Sequence, residues 1–201
     1  MPSGPYDVVL CPDQELSQRT LELSTGLSEA GTYFTLNQKT HNPHLSLYML
    51  QLDEEGLSEA LSLLSGIAAE TQTVTAVARH YHYSHDYLDV EYVKSDALSN
   101  LQERIIQSLN SVRDGLREKD AERLATATGE ERENILKYGY RSVGNQFAPH
   151  LTFTRFTDDQ SGIISTLPSP DTFNGRYSSL GIFKMGEHGT CIEPVNSWQL
   201  Q

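Results

Sequence analysis

The sequence predicts an α+β fold. Three observations carry that prediction. Strand-like and helix-like hydrophobic patterns follow one another along 201 residues without a regular βαβ rhythm. That length suits a single domain, or two small lobes sharing one core. And one short phrase occurs once in each half, in comparable strand contexts. Pro43-His44-Leu45-Ser46-Leu47-Tyr48 returns as Pro149-His150-Leu151-Thr152-Phe153-Thr154.

The elements follow in order. Tyr6 to Leu10 is a short apolar run ending at Pro12, a first strand. From Asp13, Leu16, Leu23, Leu27 and Ala30 form a helix stripe that Gly31 stops. Tyr33 to Leu36 reads as a short strand. Leu45 to Leu52 is the first motif strand, with Pro43 at its entrance, where no ladder N–H is demanded. Asp53 is an N-cap for a helix using Leu57, Leu61, Leu64 and Ala68. Thr73 to Tyr83 and Tyr87 to Val93 read as a hairpin around Ser84-His85-Asp86, with Leu88, Val90 and Tyr92 on one face. Leu98, Leu101, Ile105, Leu109, Val112 and Leu116 make a strong helix stripe, read as core. Residues 118 to 137 are charged and more weakly helical, through Leu124, Ile135 and Leu136. Tyr138 to Gln146 reads as a loop. The second motif strand is His150 to Phe156, and turn-formers fill 157 to 175. Tyr177 to Met185 and Cys191 to Gln199 form a last hairpin across Gly186-Glu187-His188-Gly189.

Composition narrows the function. Hydrophobic residues are 37% and charged residues 21%, which is not a disordered composition. The balance of 15 basic against 27 acidic residues gives a net charge of −12, with no basic run. That is wrong for gripping a long phosphate backbone, where affinity comes from many Lys/Arg contacts. A small nucleotide or an RNA end needs only local positive charge. Cys11 and Cys191 read as free thiols in a reducing compartment. Met1-Pro2-Ser3-Gly4-Pro5 has no basic n-region, and no segment approaches the ~20 apolar residues of a membrane span. The expectation is a soluble, cytoplasmic monomer without a membrane partner.

The duplicated phrase carries chemistry. In a strand, residues i and i+2 share a face, so His44 projects with Ser46 and His150 with Thr152. Leu45, Leu47, Leu151 and Phe153 point the other way and anchor each strand. Two such strands side by side would make a cleft with two imidazoles and two hydroxyls. A neutral imidazole removes a proton from a nucleophile, and an imidazolium protonates a leaving oxygen. The hydroxyls donate to phosphate oxygens. This needs no metal or other cofactor. Outside the motifs the repeat is weaker: Asp53/Asp159 and Gly56/Gly162 also match.

The paired His-x-Ser/Thr-x pattern resembles that of the 2H phosphoesterase superfamily, which includes LigT-like 2′-5′ RNA ligases and cyclic nucleotide phosphodiesterases. Phe147-Ala148-Pro149-His150-Leu151-Thr152-Phe153-Thr154-Arg155 is especially similar to the family's second motif, arginine included. The resemblance spans the chain in motif order and spacing. It implies one bilobal α+β domain over residues 1–201, with pseudo-twofold symmetry and both motifs in a central cleft. It implies metal-free phosphoester chemistry on 2′,3′-cyclic phosphates, RNA ends or related nucleotides. By position, His44 and His150 would be the acid/base pair, and Ser46 and Thr152 the phosphate binders. Which histidine is base stays open. So do hydrolysis against 2′-5′ ligation, and turnover against a binding module that recognises a nucleotide without reaction. The acidic charge favours hydrolysis of small substrates.

Further candidates surround the motifs. Tyr48 and Thr154, four residues after their histidines, share the motif face in a regular strand; for Tyr48 a stacked base and a core position are both open. Arg155 is at an odd offset, so a regular strand turns it away and only a bulge or strand end returns it. Tyr140 and Arg141 lie in the loop before the second motif, where substrate contacts are often found. His80, His82 and His85 suggest zinc, but no carboxylate or cysteine is evidently placed with them. His188, in a turn, reads as solvated.

Overall fold

A computed structural model describes residues 3–201; Met1 and Pro2, part of the N-terminal stretch read above, lie outside the described residues. The strands are β1 (Gly4–Pro12), β2 (Leu45–Leu52), β3 (Val74–Ala76), β4 (Ala78–Ser84), β5 (Tyr87–Tyr92), β6 (His150–Arg155), β7 (Gly175–Met185) and β8 (Cys191–Gln199). The α-helices are α1 (Gln14–Leu27), α2 (Glu54–Ala69), α3 (Asp96–Leu109), α4 (Glu118–Leu124) and α5 (Gly129–Tyr138).

Three of these helices start where a side chain satisfies a free amide. Asp13, Asp53 and Ser95 accept from the N–H of Leu16, Gly56 and Leu98. At Gly56 a Cβ would stand 2.4 Å from the carbonyl oxygen of Val112, so only glycine lets α2 approach that turn. The matching Asp159 accepts from Ser161 N–H at the start of a 3-10 segment, Ser161–Thr166. Pro168 and Pro170 follow it, and no α-helix develops there.

The strands form two antiparallel sheets. The larger runs β2-β1-β7, with β3 and β8 sharing the far side of β7; the smaller runs β4-β5-β6. Each motif strand is therefore an outer strand of its sheet, and β2 lies against β6. One continuous core joins Val8, Leu45 and Leu50 of the larger sheet, Val90, Leu151 and Phe153 of the smaller, and Leu98 and Ile105 of α3. The fold is α+β, as the pattern predicts.

Four elements differ from the expectation. Tyr33 to Leu36 is not a strand: Thr32 alone bridges to Phe156, and the Leu36 N–H is taken by the Ser24 hydroxyl. The arm Thr73–Tyr83 is split, with β3 pairing with β7 and β4 with β5, so one segment serves both sheets. Helix α3 stops at Leu109, and Val112 and Leu116 lie beyond it; Asn110 donates to the Lys137 carbonyl and accepts from Arg113. The charged stretch is two helices, separated before Gly129, whose φ is 53°. Cys11 and Cys191 are free thiols. Among the described residues, no helix is long and apolar enough to cross a membrane.

Candidate active site

His44 immediately precedes β2 and His150 opens β6. Nδ1 of His44 bonds the carbonyl of Asn42 at 2.7 Å, and Nδ1 of His150 bonds the carbonyl of Ala148 at 2.8 Å. A carbonyl only accepts, so both Nδ1 atoms carry the proton and both Nε2 atoms are left for chemistry. The device is the same in both motifs: a carbonyl two residues upstream, across the proline. Burial lowers the His44 pKa to about 4, against the opposing pull of the Asn42 carbonyl, and the charge of His150 lowers it further. The two rings are thus close enough to couple electrostatically, and His44 is neutral at pH 7.

Both motif strands also bulge at the same motif position. Val8 faces Tyr48 while Val9 faces Ser46, leaving Leu47 as the extra residue; Leu88 faces Thr154 while Asp89 faces Thr152, leaving Phe153 extra. Each extra residue's carbonyl finds a side-chain donor. Leu47 O accepts from Gln102 Nε2 at 3.0 Å, and Phe153 O accepts from the Ser24 hydroxyl at 2.7 Å.

The bulges shift the side-chain alternation by one. Arg155 therefore comes onto the face that carries His150 and Thr152. Tyr48 and Thr154 leave it: both are 0% exposed, correcting the expectation of a cleft wall. Thr154 donates to the Phe34 carbonyl and Tyr48 to the Tyr138 carbonyl, each at 2.6 Å. Tyr48→Phe should consequently lower stability by about 1–2 kcal/mol, by orphaning that carbonyl, and leave kinetic constants unchanged. Thermal melts beside steady-state assays check this.

The loop 138–146 is pinned rather than free. Gln102 donates to Ser142 O, Asn134 to the carbonyls of Arg141 and Val143, and Lys94 to Gly144 O. Tyr140 is buried, tilted on Tyr48 at 6.0 Å and covered by Arg117 at 5.7 Å. Burial, then the Asp7 charge, pushes its phenol up to about 12. It is a wall behind the site, not a surface contact. Arg141 points outward, 3.6 Å from Glu131.

The hydroxyls are not equivalent. Thr152 is half-exposed, and its hydroxyl has no protein partner among the described residues. Ser46 Oγ donates to Asp7 Oδ2 at 2.6 Å. Asp7 is 0% exposed, and its Oδ2 lies 3.8 Å from His44 Nε2. Burial raises the Asp7 pKa to about 7, although the Ser46 bond and the Arg117 charge oppose it. With His44 held neutral, this contact is not an ion pair at neutral pH.

Across the smaller sheet, His80, Glu91 and His150 form one cross-strand row, and His82, Asp89 and Thr152 the next. The hairpin histidines do have carboxylate partners: His80 lies 3.3 Å from Glu91 and His82 3.3 Å from Asp89. Donor atoms of His82, Asp89 and Glu91 come within 4.8 Å of one another, where a divalent cation could be held. Asp7, His44 and Cys191 are as close, but burial keeps the thiol protonated and Arg117 adds positive charge, so that set does not suit a cation.

Beyond Arg155 the surface opens into a pocket of about 450 Å³ lined by Tyr33, Phe34, His41, His188, Thr190 and Ile192, among others. The Arg155 guanidinium lies 5.1 Å from both the Tyr33 and the Tyr87 ring, and donates to His188 Nδ1 at 3.0 Å. His188 is tilted against Tyr33 at 4.7 Å and stacked on Phe34 at 6.5 Å, so it is a pocket wall and not a solvated turn residue. Burial, then Arg155, lowers its pKa. Arg123 and Lys119 of α4 act electrostatically on Tyr87 and His188, which gathers positive charge here despite the net −12.

Asp7, Tyr33, Arg117 and His188 had no motif to reveal them. For Asp7 one signal existed: a lone carboxylate inside the apolar run Tyr6–Leu10.

Residues 50–165 match the family described as "Protein of unknown function (DUF1045)". That span is more than half of the chain, which therefore belongs to this family; it includes His150 and Thr152 and begins after His44 and Ser46. No curated protein matches the sequence. Among solved structures, E. coli LigT complexed with ATP superposes with TM-score 0.62 at 15% identity, covering 100% of this chain and 99% of that one. TT0787 of Thermus thermophilus gives TM-score 0.61 at 15% identity, covering 98% and 97%. A structure described as a phosphoesterase gives 0.59 at 14%, covering 100% and 99%. These likenesses show the fold: the chain is folded as LigT is.

Proposed function

We propose that this DUF1045 member is a metal-independent phosphodiesterase that opens a 2′,3′-cyclic phosphate or a related small nucleotide diester. The observation that carries the reading is the matched pair of imidazoles, each locked by its upstream carbonyl with Nε2 left for a shared substrate. His44, neutral at pH 7, takes the proton of an attacking water as it bonds to phosphorus. The bond from phosphorus to the leaving oxygen breaks, and His150 as imidazolium protonates that oxygen. Thr152 donates to a non-bridging oxygen, and Arg155 supplies positive charge from the same face. One domain over 1–201 then contributes one motif from each half. E. coli LigT has been crystallised with phosphate and with 3′-AMP, ligands of the class proposed here.

The pocket supports a nucleotide over a bare phosphodiester. A base stacked on Tyr33 and His188 would sit beyond Arg155. Tyr33→Ala should raise KM about tenfold with kcat nearly constant, since stacking is worth about 1–3 kcal/mol per base and acts in ground and transition states alike. Turnover of a panel of 2′,3′-cyclic nucleotides, with chelator present, tests the reaction itself. No turnover on any of them would reject it.

A further inference from the structure

The two motif hydroxyls face different chemistry. Thr152 is free, whereas Ser46 already donates its single proton to Asp7 at 2.6 Å. Asp7 is fully buried, and its second oxygen, Oδ1, has no hydrogen-bond partner among the described residues. A hydroxyl committed to a carboxylate offers a phosphate only lone pairs, and the carboxylate adds a negative charge behind it.

The groups facing Asp7 come from every side. Ser46 and His44 approach from β2, Cys11 from β1 itself, Cys191 from the start of β8, Arg117 from the start of α4, and Tyr140 from the loop after α5. His44 is neutral, both thiols and the phenol stay protonated, and Arg117 is committed to Asp120 at 2.5 Å. No full cation therefore bonds the Asp7 carboxylate, and an incoming anion at Ser46 would tip it towards its acid form.

We propose that Asp7 is the proton-bearing part of the anion site: its acid form donates to Ser46 Oγ and so turns the serine proton outward to a bound oxyanion. The ionised form takes that proton back and closes the contact. Binding a dianion then takes up one proton from solvent, and the switch works before any bond is made or broken. The inference rests on the reading that the His44–His150 cleft takes a phosphate, and it adds that the cleft binds anions together with a proton.

Inorganic sulfate is the probe, because it stays dianionic throughout the range. NMR titration of the full chain between pH 6 and 9 gives Kd at each pH, for wild type and for Asp7→Asn, whose amide donates to Ser46 at every pH. Any other proton linked to sulfate binding is shared by both proteins, so the two are read against each other. Wild-type affinity should fall with pH, and the slope of log Kd on pH above 7 should be smaller by about one in Asp7→Asn, the contribution of one linked proton. Ser46→Ala should flatten the slope in the same way, which covers the case that Asp7→Asn does not fold. Sulfate binding with equal slopes in wild type and variants overturns the role of Asp7 alone. No sulfate binding by wild type overturns the phosphate cleft, and this inference with it.

Discussion

His44→Ala and His150→Ala should each lower kcat/KM on a 2′,3′-cyclic nucleotide by about 10³-fold, within the usual range for losing a positioned general acid or base. The double variant should fall little further, because losses of two groups that act in one step do not add. Steady-state kinetics measure this, with circular dichroism showing that the fold is kept. The pH profile separates the roles. Burial holds His44 near 4, so the rising limb of kcat/KM should lie near pH 4 and not near the ordinary histidine value. The sign for stability follows from the same shift. The unfolded chain binds the His44 proton more readily than the folded one, so stability is lost as pH falls from about 6.5 towards 4. Asp7 acts oppositely: its folded pKa of about 7 exceeds the ordinary carboxylate value of 3.8, so its contribution is present below 3.8 and lost as pH rises through 7.

Arg117→Met should cost about 3–5 kcal/mol of stability, the usual penalty for removing one partner of a buried ion pair. Arg117 is buried, bonded to an Asp120 that is 0% exposed, with its Nη1 packed on the sulfurs of Met49 and Met185. Without it Asp120 keeps Arg123 at 3.6 Å and no nearer cation. For a domain of this size the loss corresponds to about 10 °C in Tm. The double change Arg117→Met/Asp120→Leu removes both charges and should recover most of it. The deficit should also shrink as pH falls, because protonation relieves the stranded carboxylate. Differential scanning calorimetry at two pH values reads both effects.

Much of the frame was legible because it rests on local signals. Asp53 marks the start of α2, and the Leu45–Leu52 pattern matches β2 end to end. The two histidines and their hydroxyls followed from a repeated phrase. What was not legible depends on long-range pairing. Strict two-residue alternation places Tyr48 and Thr154 in the cleft; the bulges at Leu47 and Phe153 bury them and bring Arg155 onto the face instead. Those bulges depend on donors far away in sequence, Gln102 and Ser24. The backbone of Tyr33–Leu36 is satisfied by a side chain and by an isolated bridge, which hydrophobicity does not encode. Asp7 and Arg117 meet the site only once β1 and α4 are folded against it.

The central claim is that His44 and His150 act on one phosphate. A crystal structure of the protein with inorganic vanadate or phosphate tests it most directly. The anion should lie between the two rings, with both Nε2 atoms within hydrogen-bond distance, roughly 2.6–3.2 Å, and the Thr152 hydroxyl on a third oxygen. An anion bound elsewhere, or touching one imidazole while the other lies beyond one-water reach, would contradict it.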